Sequence, residues 1–138
     1  MKRGFIAGAF DLLHPGHLLT LAEAKDYCDF LVVGLHVDPS KEDKKKHKPI
    51  QTVVERAIQL RACKFVNHVI VYETNRDLLN ILATQPIDIR FNGGDHKGKT
   101  KPSDRDLMCE KRGIEIHYCS RLHDYSTSEL RDRIKKAK

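Results

Sequence analysis

The sequence predicts an α/β protein: one doubly wound, parallel sheet of five strands with helices on both faces. Three observations carry that expectation. Short apolar runs alternate five times with segments of helical periodicity. The run Phe30–Val37, FLVVGLHV, is apolar almost throughout, as a strand covered on both faces is. Glycine-rich and charged segments follow the strands, at the end where such sheets hold ligands.

Taken in order, Gly4–Phe10 reads as the first strand and His17–Cys28 as a helix, with Leu18, Leu21, Ala22 and Ala24 as its apolar positions. Phe30–Val37 is the second strand, and Ser40–Lys48 is a lysine-dense polar loop. Thr52–Lys64 is helical, with Val53, Ala57, Leu60 and Lys64 on related faces; His68–Tyr72 is a strand. Arg76–Ala83 is a helix, and Ile87–Phe91 a strand running into Asn92-Gly93-Gly94-Asp95. Asp104–Lys111 forms a short helix, Ile114–Cys119 the fifth strand, and Ser126–Lys135 the final helix. Right-handed crossovers would join these strands into one layer.

A chain of 138 residues fits one domain, here 1–138, and buries a core without staples. No apolar run approaches the ~20 residues that span a bilayer, and the N-terminus enters a strand without a cleavable leader. Four cysteines lack CxxC or zinc-finger spacing, so reduced thiols and a cytoplasmic location are expected. A net charge of +6 admits nucleic acid, anionic membrane or phosphorylated small molecules. Neither base-stacking aromatics nor a recognition helix accompanies the charge, which disfavours nucleic acid.

The stretch GAFDLLHPGH, Gly8–His17, carries the chemistry. Pro15 suits the first turn of a helix, where its missing N–H has no partner. His14 and His17 stand three apart at a helix N-terminus, where free backbone N–H groups favour an anion. Gly16 lets that anion approach closely. Ser126 and Glu129 have capping-box spacing, and a helix start bearing the hydroxyls of Thr127 and Ser128 can also cradle phosphate.

These residues resemble the GxFDxxHxGH signature of the nucleotidyltransferase superfamily, whose cytidylyltransferase branch includes glycerol-3-phosphate cytidylyltransferase. Four further segments agree in order: AKDYCDFLVVGLHVD, VVERAIQLRACKFVNHVIV, FNGGDHKGK and RLHDYSTSELRDRI, the last similar to RTEGISTSxxxxRI. The resemblance implies a Rossmann-like fold and transfer of a nucleotidyl group to a phosphate monoester, with pyrophosphate released. The acceptor oxygen is already anionic near neutrality, so catalysis reduces to positioning and charge stabilisation.

On that resemblance, His14 and His17 donate to the α-phosphate and bridging oxygens, with Lys44, Lys46 and Thr127 beside them. A one-residue shift of the alignment would implicate Lys45 or Lys48 instead. Gly8, Ala9, Phe10, Gly16, Asp95, Arg121, Ser126, Thr127 and Ser128 would line the nucleotide. Asp95 would accept from a ribose hydroxyl or base amine, and a buried Arg121 would bond a cytosine carbonyl. Arg56 and Lys64 would meet the acceptor phosphate. Asp11 would hold the signature turn, and Mg²⁺ would ride on the triphosphate with no dedicated protein ligand. The expected donor is CTP and the acceptor a glycerol 3-phosphate-like alcohol. The alternative is an ATP-dependent adenylyltransferase acting on a sugar or flavin-type phosphate, because NGGDHKG also resembles the KGGDY loop of heptose-phosphate adenylyltransferases. A homodimer is commonly found in the family.

Departures from the family pattern cluster near the base and acceptor. Ala9 stands for Thr or Val, His96 for Trp or Tyr, and Leu122-His123-Asp124-Tyr125 for Thr-Glu-Gly-Ile.

Overall fold

The computed structural model describes residues 1–93 and 101–137. Five strands, β1 (Arg3–Gly8), β2 (Phe30–His36), β3 (His68–Tyr72), β4 (Ile89–Asn92) and β5 (Glu115–Tyr118), alternate with five helices. The helices are α1 (Pro15–Asp26), α2 (Val53–Ala62), α3 (Asn75–Thr84), α4 (Asp104–Arg112) and α5 (Thr127–Lys136). All pairings are parallel, in the order β3-β2-β1-β4-β5. Strand order therefore reverses between β1 and β4, and the crevice beyond their carboxyl ends is the place for a ligand.

The doubly wound expectation holds because alternate strand residues feed two cores. Ile6, Leu31, Val33, Leu35, Ile89 and Phe91 pack with Leu21 and Ala24 of α1 and Ala57 and Leu60 of α2. Phe5 and Tyr72, on the opposite face, meet Leu78 and Leu82 of α3 and Cys109 of α4. Fully burying a Leu-sized side chain contributes roughly 1.5–3 kcal/mol, so these two layers hold the sheet between the helices. Gly34 permits the tight fit on the second face: a Cβ there would sit 2.6 Å from Phe5 Cζ.

Helix boundaries follow local chemistry. Thr52 with Glu55, Thr74 with Asp77 and Ser103 with Asp106 form reciprocal capping boxes. Ser126 Oγ accepts from Glu129 N–H at 3.0 Å, so the expected cap on α5 forms through the hydroxyl. A single 3₁₀ turn, Pro39–Lys41, capped by Asp38, lies within the polar loop and had no signal in the pattern. All four cysteines are free thiols. Among the described residues, no helix is long and apolar enough to cross a membrane.

Candidate active site

The first strand stops at Gly8, two residues earlier than its apolar pattern suggests, because the chain turns sharply. Phe10 (φ 49°) and Leu12 (φ 51°) both occupy the left-handed region. Non-glycine residues there carry strain of order 1–3 kcal/mol each, so neighbouring bonds must fix the turn. Asp11 supplies them. Its carboxylate accepts from Ile50 N–H (2.8 Å), Gln51 N–H (2.9 Å) and Arg131 Nη2 (2.9 Å). Leu12 N–H donates to Gln51 Oε1 at 2.7 Å. These bonds and the Arg131 charge hold the Asp11 carboxyl below its ordinary pKa despite burial, which opposes them. One acid thus ties the signature turn to the end of the lysine loop and to α5.

The same turn delivers the two histidines. His14 is the N-cap of α1: its Nδ1 accepts from Gly16 N–H at 3.0 Å. His17 stands at the third helical position, and its Nδ1 accepts from His14 N–H at 3.3 Å. The rings stack with centroids 3.8 Å apart. Phe10 folds over His17 with its centroid 5.4 Å away, and also over Gly8. Because each Nδ1 is an acceptor, each neutral ring carries its proton on Nε2. Burial lowers the pKa of His14, helped by neighbouring His123. For His17, burial, then His14 and His123 outweigh the opposing charge of Asp11, and its pKa falls to about 4. At neutral pH the pair is therefore two uncharged N–H donors fixed in tautomer and orientation.

His14 Nε2 lies 3.1 Å from Thr127 Oγ1, at the start of α5. Donation along that contact leaves the Thr127 hydroxyl hydrogen for an anion. Ser126, Thr127 and Ser128 thus stand beside the imidazole pair, the first as cap and the second in direct contact. Ser128 lines a cavity of about 340 Å³ with His47, Ile50 and Arg131. Lys44 and Lys46 are exposed on the loop after β2, whose turn is set by bonds to Asp43. Further along it, Lys48 carbonyl accepts from Arg131.

Two expected acceptor-phosphate residues are elsewhere. Arg56 is 2% exposed and its guanidinium is committed to the backbone. It donates to the carbonyls of Ala9, His36, Val37 and Gln51, which clamps the loops after β1 and β2 rather than a ligand. Lys64 lies between the end of α2 and the start of β3, at the amino edge of the sheet, with its Nζ 5.2 Å from the Phe65 ring centroid. The histidines occupy the carboxyl edge, so Lys64 belongs to the opposite rim. Arg121, expected to be buried against a base, is exposed. Asp95 and Gly94 fall outside the described residues, as does His96.

Two participants were not among the expected site residues. Arg131 reaches Asp11 across 120 positions, and His123 enters the imidazole cluster from the loop before α5. A further polar knot, Glu23 with His117 (2.9 Å) and with the Ser120 N–H and hydroxyl, fastens α1 to the end of β5. Cys119 beside it is pushed up to about 12 by burial and by that carboxylate.

Comparison with known proteins decides the family. The profile described as cytidylyltransferase-like matches residues 5–133. The chain belongs to the cytidylyltransferase-like family of nucleotidyltransferases. This cytidylyltransferase-like chain is 37% identical over 131 residues to the bifunctional protein HldE of Hyphomonas neptunium, covering 94% of itself and 26% of that protein. It is 34% identical to the HldE of Campylobacter curvus, covering 96% of itself and 27% of the relative. It therefore spans about a quarter of the length of these relatives. Among solved structures, a lipopolysaccharide core biosynthesis protein from Thermoplasma volcanium superposes with a TM-score of 0.72 at 28% identity, over 89% of this chain and 99% of that one. TmcAL from Thermotoga maritima, in a structure bound with alpha-thio ATP, shares the fold with a TM-score of 0.68 at 13% identity, over 99% of this chain and 50% of that one.

Proposed function

We propose that this chain transfers an adenylyl group from ATP to the phosphate of a phosphorylated sugar and releases pyrophosphate. The observation that carries nucleotidyl transfer is the imidazole pair, with both Nδ1 atoms used as helix caps and both Nε2–H groups left to donate, one of them against Thr127. Two features favour the adenylyl and sugar-phosphate reading over CTP and glycerol 3-phosphate. The NGGDHKG segment resembles the heptose-phosphate adenylyltransferase loop. The relatives found are HldE proteins and a lipopolysaccharide core biosynthesis protein, whose product is built from sugars.

In this reading the acceptor phosphate oxygen attacks the α-phosphorus. A new P–O bond forms as the α–β bridge breaks, and its electron pair leaves on pyrophosphate. The Nε2–H groups of His14 and His17 stabilise charge on the α-phosphoryl and bridging oxygens. The Thr127 hydroxyl and the free N–H groups at the start of α5 receive the tail of the triphosphate. Lys44 and Lys46 neutralise it from the loop. No proton leaves a carbon or hydroxyl, so no strong base is required. Among the described residues the site offers Mg²⁺ no carboxylate cage: imidazole N–H and ammonium groups ligate no cation, and Asp11 is fully engaged. Such a set fits an ion carried by the phosphates, where it would neutralise the leaving group.

Pyrophosphate release, measured with four nucleotides against sugar phosphates and glycerol 3-phosphate, tests the proposal. Turnover of ATP with a sugar phosphate is expected. Preference for CTP with glycerol 3-phosphate would restore the cytidylyl reading, and no release with any pair would overturn nucleotidyl transfer.

A further inference from the structure

His123 is a polar side chain without a partner in a place where partners are plentiful. Both its ring nitrogens are shut off from solvent and bonded to nothing among the described residues. Buried polar groups are nearly always paired, and an exception asks for a reason. The ring lies in the cluster already described: a Cβ on Gly16 would meet His14 Cε1 at 2.8 Å and His123 Cε1 at 2.9 Å. The two imidazoles thus flank the one residue of the helix start that carries no side chain. His123 is also near enough to act on the titration of both His14 and His17. Tyr125 stacks behind it, with centroids 5.7 Å apart, and steadies the ring.

His123 falls where the family motif carries glutamate, within the four-residue departure before α5. An acid is exchanged for a group that can donate, beside two other donors and the capped start of α1. A histidine that merely filled space would have found a carbonyl or stayed dry among apolar side chains. This one faces imidazoles and a glycine.

We infer that His123 is a third phosphate-binding imidazole, which donates a ring N–H to an anionic oxygen of the nucleotide's phosphate chain beside the start of α1. The inference rests on the nucleotidyl-transfer reading and adds one direct contact to it. One of the two unpartnered nitrogens carries the N–H that donates, and bound phosphate supplies the acceptor that the free protein lacks. The exchange also makes the cradle less repulsive to anions than one holding a carboxylate at that position.

The test follows the histidine ring nitrogens of the whole, isotopically labelled chain by long-range proton–nitrogen spectra during titration with inorganic pyrophosphate and with Mg-ATP. Shifts at His14, His17 and His123 together are expected. Shifts at His14 and His17 with His123 unmoved would overturn this inference and leave nucleotidyl transfer standing. No shift at any of the three, with no pyrophosphate release, would overturn both. Kinetics separate donation from packing. His123→Phe keeps a ring against Gly16 without a donor and should weaken pyrophosphate binding at least ~10-fold and lower kcat/KM for the nucleotide by ~10²-fold. His123→Gln restores an N–H and should recover much of both. A His123→Phe protein with wild-type affinity and turnover would reduce the residue to packing and refute the claim.

Discussion

Acidification should unfold this protein through His17. The unfolded ring titrates near 6.5, whereas in the fold it is held near 4. Burial and the neighbouring imidazoles resist the charge, and Nδ1 is already an acceptor for His14 N–H. Between those values the unfolded chain binds the extra proton, so stability rises with pH. The contribution is complete above 6.5 and drains away as pH falls towards 4. At pH 4.5 the linkage relation gives a loss of about 2.5 kcal/mol from this one ring. Urea unfolding at pH 7.5 and pH 4.5 reads it, with His17→Gln as control. Glutamine at the third helical position keeps the reciprocal cap but does not titrate. The wild type should lose about 2.5 kcal/mol more than the variant over that range. Equal losses, or a His17 ring titrating near 6.5 by NMR, would refute the argument that Nδ1 is committed to the cap.

Three further outcomes are expected. His14→Ser/His17→Glu, which replaces the imidazoles by an ordinary capping box, should fold with α1 intact by circular dichroism yet lose at least ~10²–10³-fold in kcat. Arg56→Ala strips the donor from four carbonyls and should lower stability by about 3 kcal/mol or more in denaturant titration, and Arg56→Lys should rescue little because one ammonium cannot span the fork. Lys64→Ala, at the far rim of the sheet, should leave kcat/KM within roughly twofold of wild type; a larger fall would return Lys64 to the acceptor site.

Most of the fold was legible because its signals are local. The helices expected over Thr52–Lys64, Arg76–Ala83 and Asp104–Lys111 form at Val53–Ala62, Asn75–Thr84 and Asp104–Arg112, within two residues of their expected bounds. The strand Phe30–His36 follows from its unbroken apolarity. The pair His14 and His17 was legible for the same reason, since three residues separate its members. What the pattern could not show is which rim a charge occupies. Arg56 sits in α2 and Lys64 just beyond its end; the helix turns the first inward, and the crossover carries the second to the amino edge. Long-range partners are silent in the local pattern: nothing near Asp11 in sequence points to Arg131, and Thr127, 113 positions from His14, was placed beside it only by the family resemblance. The early end of β1 came from Phe10 and Leu12, whose left-handed backbone no apolarity pattern reveals.

The three-residue spacing of the histidines has a physical origin that unites folding with chemistry. A helix start is closed most economically by an acceptor at the cap and another three residues on, each taking the other's backbone region as donor. Threonine with glutamate does this at α2, and threonine with aspartate at α3. At α1 imidazoles do it, and they differ in one respect: after Nδ1 has served the backbone, each still has an N–H on the far side of the ring. A glutamate in that position would present negative charge to the ligand, and a serine would have nothing left that reaches it. Histidine can therefore cap the helix and present a fixed donor from the same side chain. The strained turn at Phe10 and Leu12 is held by Asp11, and Asp11 is held by the loop before α2 and by Arg131. Orientation of the two donors consequently depends on bonds from three separate parts of the chain. That dependence predicts the order of failure: loosening Asp11 should release the turn first, then the caps, and only then the sheet.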